Sequence, residues 1–186
     1  NQEDSRLQQL IMNNCNRMNA VIQNVLQVSR RQQAKPELIE LTPFLKQFKQ
    51  EFCLIHVCNI TLLIPQNKKK TIYFDKNQLE QILVILCDNA MQHGRDEKGN
   101  VNITISLKHE RHRLILLLCD TGPGVPKELR NNVFEPFFST GKTGTGMGLF
   151  IAKDLCEINQ ARLNLTDEGP GCCFSILFNQ THEIQL

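Results

Sequence analysis

The stretch from Cys119 to Lys153 constrains this chain more than any other. It begins CDTGPGV and continues, from Phe134, as FEPFFSTGKTGTGMGLFIAK. Two glycine clusters, Gly122/Gly124 and Gly144/Gly146/Gly148, bracket a loop carrying Phe134, Phe137 and Phe138. Glycine at this density brings backbone N–H groups close to a ligand and lets a loop open and close. The pattern points to a phosphate site beneath a lid. Two familiar phosphate loops fail on spacing. A P-loop needs glycine five residues before Gly141, where Pro136 stands. A dinucleotide GxGxxG turn needs a strand just before it and a third glycine at another offset.

The remaining composition narrows the class. With 186 residues the chain can form one ample domain, or a domain and an appendage. Its 41% hydrophobic and 22% charged content is that of a soluble globular protein. A formal charge of +2 gives no field that implies nucleic acid, and Lys68–Lys70 after Pro65 reads as a solvated turn. No apolar run approaches the ~20 residues of a membrane span, so no membrane contact is expected of this stretch. The chain starts at Asn1 without an initiator Met or a signal peptide, so it is expected to lie within a longer protein. Eight cysteines include no CxxC pair, and the adjacent Cys172 and Cys173 suit neither zinc nor an easy disulfide. Free, buried thiols in a reducing cytoplasm are the expectation.

Residues 1 to about 34 contain neither Gly nor Pro. Leu7, Ile11, Asn14, Met18, Val21, Val25 and Val28 follow alternating steps of four and three, a heptad seam that needs partner helices. Gln32–Pro36 is a polar hinge, so a boundary is placed there: residues 1–35 form a coiled-coil or bundle helix, and 36–186 the main domain. Glu37–Leu41 reads as a short strand. Thr42 and Pro43 read as cap and first turn of a helix with Phe44, Leu45, Phe48 and Phe52 on one face. Asn59–Ile64 and Thr71–Phe74 read as strands joined by the lysine turn. Asp75 and Gln78 open a helix that buries Leu79, Ile82, Leu83, Leu86 and Ala90 and ends at Gly94. Val101–Leu107 alternates like a half-exposed strand, and Leu114–Cys119 is a continuous apolar run like a central one. A helix starts near Gly148, followed by strands at Ala161–Thr166 and Cys172–Phe178. The whole is an α+β sandwich, a mixed sheet with helices on one face.

Asn89 and His93 share a helix face. A neutral amide oxygen suits Mg²⁺, although Asn89 near a helix end also serves as a plain cap. Asp120 closes an apolar strand and can accept from an exocyclic amine; an Asx turn to the following backbone accounts for it equally well. Gly144, Gly146 and Gly148 precede a helix whose N-terminus attracts anions, and Lys142 can add a point charge.

An Asn-bearing helix, then DTGPG, FEPFF and GTGMGL, in that order, resemble the nucleotide-binding domain of sensor histidine kinases in the GHKL ATPase superfamily. The resemblance covers roughly residues 37–180 and implies a Bergerat-type α/β sandwich that binds ATP and Mg²⁺. It places Asn89 on Mg²⁺, Asp120 on the adenine amine, and Gly122 and Gly124 at the base. Gly144, Thr145, Gly146, Met147, Gly148 and Leu149 fall along the triphosphate, with His93 and Lys142 as phosphate contacts. Phe134, Phe137 and Phe138 become the lid hinge. RMNAVIQNVLQVSRR is similar to the second helix of the dimerisation and phosphoacceptor hairpin, most like nitrogen-regulator and type IV pilus sensors. The resemblance therefore implies a homodimer through that hairpin, a response-regulator partner, and a cytoplasmic location within a membrane-anchored parent.

Two positions depart from the pattern. The family usually carries Asn or Glu one turn before Asn89, where this chain has Ile85. The first histidine is His56, so the phosphoacceptor histidine is expected outside the chain, and no catalytic base is expected inside it. A nucleotide-binding pseudokinase or dimerisation module, and a serine kinase on the same fold, are the competing readings.

Overall fold

The computed structural model describes residues 6–8, 11–12, 33–65, 70–110, 113–139, 145–179 and 181–182. Residues 6–8 and 11–12 are helical, and the rest of the expected heptad helix and its hinge lies outside the described residues, save for 33–36. The ordered elements are β1 (Glu37–Glu40), α1 (Leu41–Ile55), β2 (Asn59–Leu63), β3 (Thr71–Phe74), α2 (Lys76–His93), β4 (Asn102–Glu110) and β5 (Arg113–Asp120). They continue with α3 (Gly148–Ile158), β6 (Ala161–Thr166), β7 (Cys173–Phe178) and β8 (Thr181–His182). Among the described residues no helix is long and apolar enough to cross a membrane.

Five strands form one mixed sheet in the order β2-β4-β5-β7-β6, with β2 parallel to β4 and every other pair antiparallel. Register aligns apolar residues in rows across it. Ile105 faces Leu118, Leu118 faces Phe174, and Phe174 faces Leu165; Leu107, Leu116, Ile176 and Leu163 make the next row. Alternation leaves Thr104 and Ser106 of β4, and Arg162 and Asn164 of β6, at least partly exposed. One face of the sheet is therefore committed to the core. Leu45 and Phe48 of α1, Leu79, Ile82, Leu83 and Leu86 of α2, and Ala152 and Cys156 of α3 join the same buried cluster. A fully buried Leu or Ile of this kind contributes about 1.5–3 kcal/mol. The expected α+β sandwich is the observed architecture.

Three local expectations are corrected. The Asn59–Ile64 and Thr71–Phe74 segments do not pair as a hairpin. β2 pairs with β4 in the large sheet, while β3 lies between β1 and β8 in a separate three-stranded sheet. Both edges of β3 find partners there, and Thr71, Ile72 and Phe74 are buried. Helix α1 begins at Leu41 with Glu40 in the capping position and no side-chain cap, so Thr42 does not cap it. The amide of Leu41 is instead satisfied by the carbonyl of Lys70 at 2.9 Å. The cysteines are not all free: Cys119 and Cys173 lie opposite each other across β5 and β7 and a disulfide joins them. Cys87, Cys156 and Cys172 are free and buried, and Cys53 and Cys58 are free and half-buried.

The start of α2 matches its sequence signal. Asp75 Oδ1 accepts from the Gln78 amide at 3.1 Å, and its Oδ2 accepts from the Lys35 amide at 2.8 Å. Asn159, just past α3, accepts from the Asp75 amide at 2.8 Å and donates to Gln78 Oε1 at 2.5 Å. These contacts tie the first turn of α2 to the last turn of α3. The two helices are thereby held as walls on either side of a cleft.

Candidate functional site

The 3.6-residue period of α2 puts Ile85, Asp88, Asn89, Gln92 and His93 on one face. All five line a cleft of about 710 Å³. Pro123, Gly124, Val125, Pro126 and Lys127 form a second wall, with Phe174 contributing from β7 and Cys172 from just before it. Thr145, Gly146, Gly148 and Leu149, at the start of α3, close the far side with Phe138 and Ser139. The volume is that of a small-molecule or cofactor site, commonly roughly 300–1,000 Å³.

Asp120 ends β5 on the same sheet face as Leu118 and Leu116, which is the helix-covered face. Its carboxylate is buried, and Oδ1 accepts from the Gly122 amide at 2.9 Å and the Cys172 amide at 3.0 Å. The first of these is the Asx turn that the residues alone allow. Asp120 and Gly122 are not among the cleft-lining residues, whereas Gly124 is. Backbone from three segments crowds the carboxylate. A Cβ on Gly171 would lie 2.4 Å from Asp120 Oδ1, and one on Gly122 would lie 2.5 Å from the Cα of Gly94. Only hydrogen fits at this junction.

The start of α3 is equally tight. Gly146 has φ +69, and a Cβ there would meet the carbonyl carbon of Phe137 at 2.5 Å. Phe137 itself has φ +66, costing about 1–2 kcal/mol for a side chain that remains 61% exposed. Met147 is buried and caps α3; its amide donates to Thr145 Oγ1 at 3.4 Å. The N–H groups of the following turn lack intrahelical acceptors, and with the helix dipole they favour an anion. Ile85 faces this turn, 3.3 Å from where a Gly148 Cβ would stand. The aliphatic residue thus packs against the first turn of α3.

Of the three phenylalanines, Phe134 is the anchor. Its ring meets Phe174 edge-on at 6.2 Å, and Lys153 Nζ lies 5.6 Å from its centroid. Arg130 fastens the same segment by donating to the Val125 carbonyl at 3.1 Å and pairing with Asp167. Phe138 enters the cleft lining, while Phe137 does not. Lys142 and Gly144 lie outside the described residues. The sequence reading missed Asp88, Gln92, Gly94, Gly171 and Cys172. Helical spacing from Asn89 would have supplied Asp88 and Gln92, but no local signal marks Gly171.

Two groups in the cleft have displaced ionisation. Burial holds the Asp88 carboxyl above the ordinary aspartate range, with His56 opposing it. Burial, then the Asp120 carboxylate, pushes the Cys172 thiol up to about 12, with Arg130 opposing. This thiol keeps its proton at neutral pH. Iodoacetamide at pH 7.5 is expected to leave Cys172 unmodified in the folded protein while guanidinium exposes it, as read by peptide mass mapping. Ready alkylation of the folded form would contradict that environment.

Residues 74–182 match the family described as histidine kinase-, DNA gyrase B-, and HSP90-like ATPase. The chain is 39% identical over 180 residues to sensor protein kinase PilS of Pseudomonas aeruginosa, covering 94% of this chain and 34% of that protein. It is 33% identical over 129 residues to the sensory histidine kinase/phosphatase NtrB of Proteus hauseri, covering 63% of this chain and 36% of that protein. The chain therefore spans about a third of these relatives. Among solved structures, histidine kinase AdeS of Acinetobacter baumannii superposes with TM-score 0.71 at 19% identity, covering 92% of this chain and 83% of that one. Full-length ShkA in complex with AMPPNP superposes with TM-score 0.75 at 22% identity, covering 90% and 37%. At these identities the structural likeness establishes the fold.

Proposed function

The chain belongs to the histidine kinase-, DNA gyrase B- and HSP90-like ATPase family, and from that premise we propose that it is the ATP-binding part of a two-component sensor histidine kinase. The observation carrying this reading is the single cleft shared by the polar face of α2 and the glycine-rich start of α3. Its dimensions suit a nucleotide, and the N-terminus of α3 suits the triphosphate. In the proposed arrangement the adenine lies over Gly122 and Gly124 with its amine directed to Asp120. Gly144, Thr145, Gly146, Met147, Gly148 and Leu149 follow the phosphates, and His93 and Lys142 add donors.

The Asn89 amide oxygen would hold Mg²⁺, whose charge neutralises the phosphate oxygens. Phosphoryl transfer needs positioning and charge neutralisation more than covalent chemistry from the protein. The residues named here therefore bind, orient and exclude water. We further propose that residues 1–35 belong to a dimerisation hairpin and 36–186 to the ATP-binding domain. The segment from Val125 to Thr145 acts as the lid, hinged at Phe134, Phe137 and Phe138. The acceptor histidine lies outside the chain, and the phosphoryl group passes onward to a response-regulator aspartate in the cytoplasm, below a membrane-anchored sensor. One observation favours the pseudokinase reading: Ile85 contributes a hydrocarbon wall where an oxygen ligand would assist Mg²⁺.

The test is to supply a histidine-bearing hairpin and follow labelled γ-phosphate from Mg·ATP onto protein. Label that is lost in acid supports a phosphohistidine; acid-stable label supports the serine kinase, and no label at all supports the pseudokinase. Asp120→Asn gives a finer test. An amide oxygen can still accept from Gly122 and Cys172, but its NH₂ opposes an adenine amine. ATP affinity by calorimetry is expected to fall about tenfold or more, while inorganic triphosphate binds as before. Unchanged ATP affinity would remove Asp120 from base recognition.

A further inference from the structure

We propose that Cys53 and Cys58 form a dithiol site that hydrogen peroxide closes to an intrachain disulfide. Cys53 lies in the last turn of α1, and Cys58 immediately precedes β2. The connection between them folds back on itself. The His56 amide donates to the Phe52 carbonyl at 3.0 Å, the Cys58 amide donates to the His56 carbonyl at 3.0 Å, and the His56 ring stacks on Phe52 at 4.3 Å. The two sulfurs are thereby brought to 4.0 Å. They are also reachable. Both cysteines are half-buried, and their neighbours Leu54, Ile55 and Val57 are 85%, 79% and 97% exposed.

The remaining free thiols among the described residues, Cys87, Cys156 and Cys172, are buried. Neither cysteine of this pair lines the nucleotide cleft. Closure shortens the sulfur separation to about 2.05 Å, a change that side-chain rotation beside a loop can supply.

The step balances as two thiols and one peroxide giving one disulfide and two waters. One sulfur attacks a peroxide oxygen, becoming a sulfenic acid as the O–O bond breaks and the first water leaves. The second sulfur then attacks the first, the S–O bond breaks, and the sulfenic oxygen departs as the second water. The sulfurs together lose two electrons, which the peroxide gains. Burial, and then Cys53 beside it, pushes the Cys58 thiol up to about 11. Its proton, retained at neutral pH, passes to the departing oxygen.

The test treats the folded 186-residue chain with hydrogen peroxide, unfolds it, blocks remaining thiols with N-ethylmaleimide and digests it with trypsin. The peptide Gln50–Lys68 contains Cys53 and Cys58 and no other cysteine. It is expected to lose two hydrogens and take up no maleimide, and to regain both reactive thiols after dithiothreitol. Cys53→Ser is expected to keep the thermal unfolding transition of the parent and to leave Cys58 open to maleimide or as a sulfenic acid. Two maleimides on this peptide after oxidation, or a crosslink from either cysteine to another peptide, would overturn the site.

Discussion

Gly146→Ala is expected to lower stability by about 2–4 kcal/mol and to weaken ATP binding at least about tenfold. Two costs combine at this position. With φ +69, any L side chain pays about 1–2 kcal/mol for the left-handed backbone. The added methyl would also lie 2.5 Å from the Phe137 carbonyl carbon and 2.6 Å from the Phe138 oxygen. Both are backbone atoms, so no rotamer change relieves the clash, and the start of α3 must move away from Phe138. That movement displaces the helix N-terminus that we propose holds the triphosphate. Gly99 supplies the control. Its φ is +81, yet nothing lies within 4 Å of its added methyl, so Gly99→Ala pays the backbone cost alone. Urea unfolding of the two variants separates strain from collision. Equal losses would mean the contact with Phe137 carries no energy.

Asn89→Ala is expected to reduce transfer from Mg·ATP to a supplied histidine hairpin by about 10²–10³-fold, the scale of losing one preorganised charge-stabilising group. The fold should survive, because Asn89 is only half-buried and alanine is a better helix former within α2. Calorimetry with and without Mg²⁺ locates the defect. Metal-free nucleotide should bind the variant and parent alike, while the gain in affinity from Mg²⁺ should vanish in the variant. The neighbouring Ile85 sharpens the expectation, since it offers no oxygen to replace the lost amide. Undiminished transfer would remove Asn89 from the mechanism.

The sequence carried local periodicity reliably. The stripe Leu79, Ile82, Leu83, Leu86 and Ala90 is buried as its spacing implies, and the apolar run before Asp120 is a central strand. Asn89 and His93 reach the cleft together because four residues make about one helical turn. Long-range partnerships were not legible. A lysine turn between two apolar segments looks like a hairpin, but β2 gains a parallel neighbour and β3 leaves for another sheet. The facing of Cys119 and Cys173 depends on sheet register across 54 residues, which no spacing rule reveals. The crowding of Asp120 by Gly94, Gly122 and Gly171 likewise appears only once three distant segments meet.

Gly146 lies directly against the backbone of Phe137 and Phe138, so nothing larger than hydrogen separates the start of α3 from these two residues. The start of α3 and the Phe137–Phe138 backbone therefore hold one spacing between them, and that spacing is set by a methylene that can grow no larger.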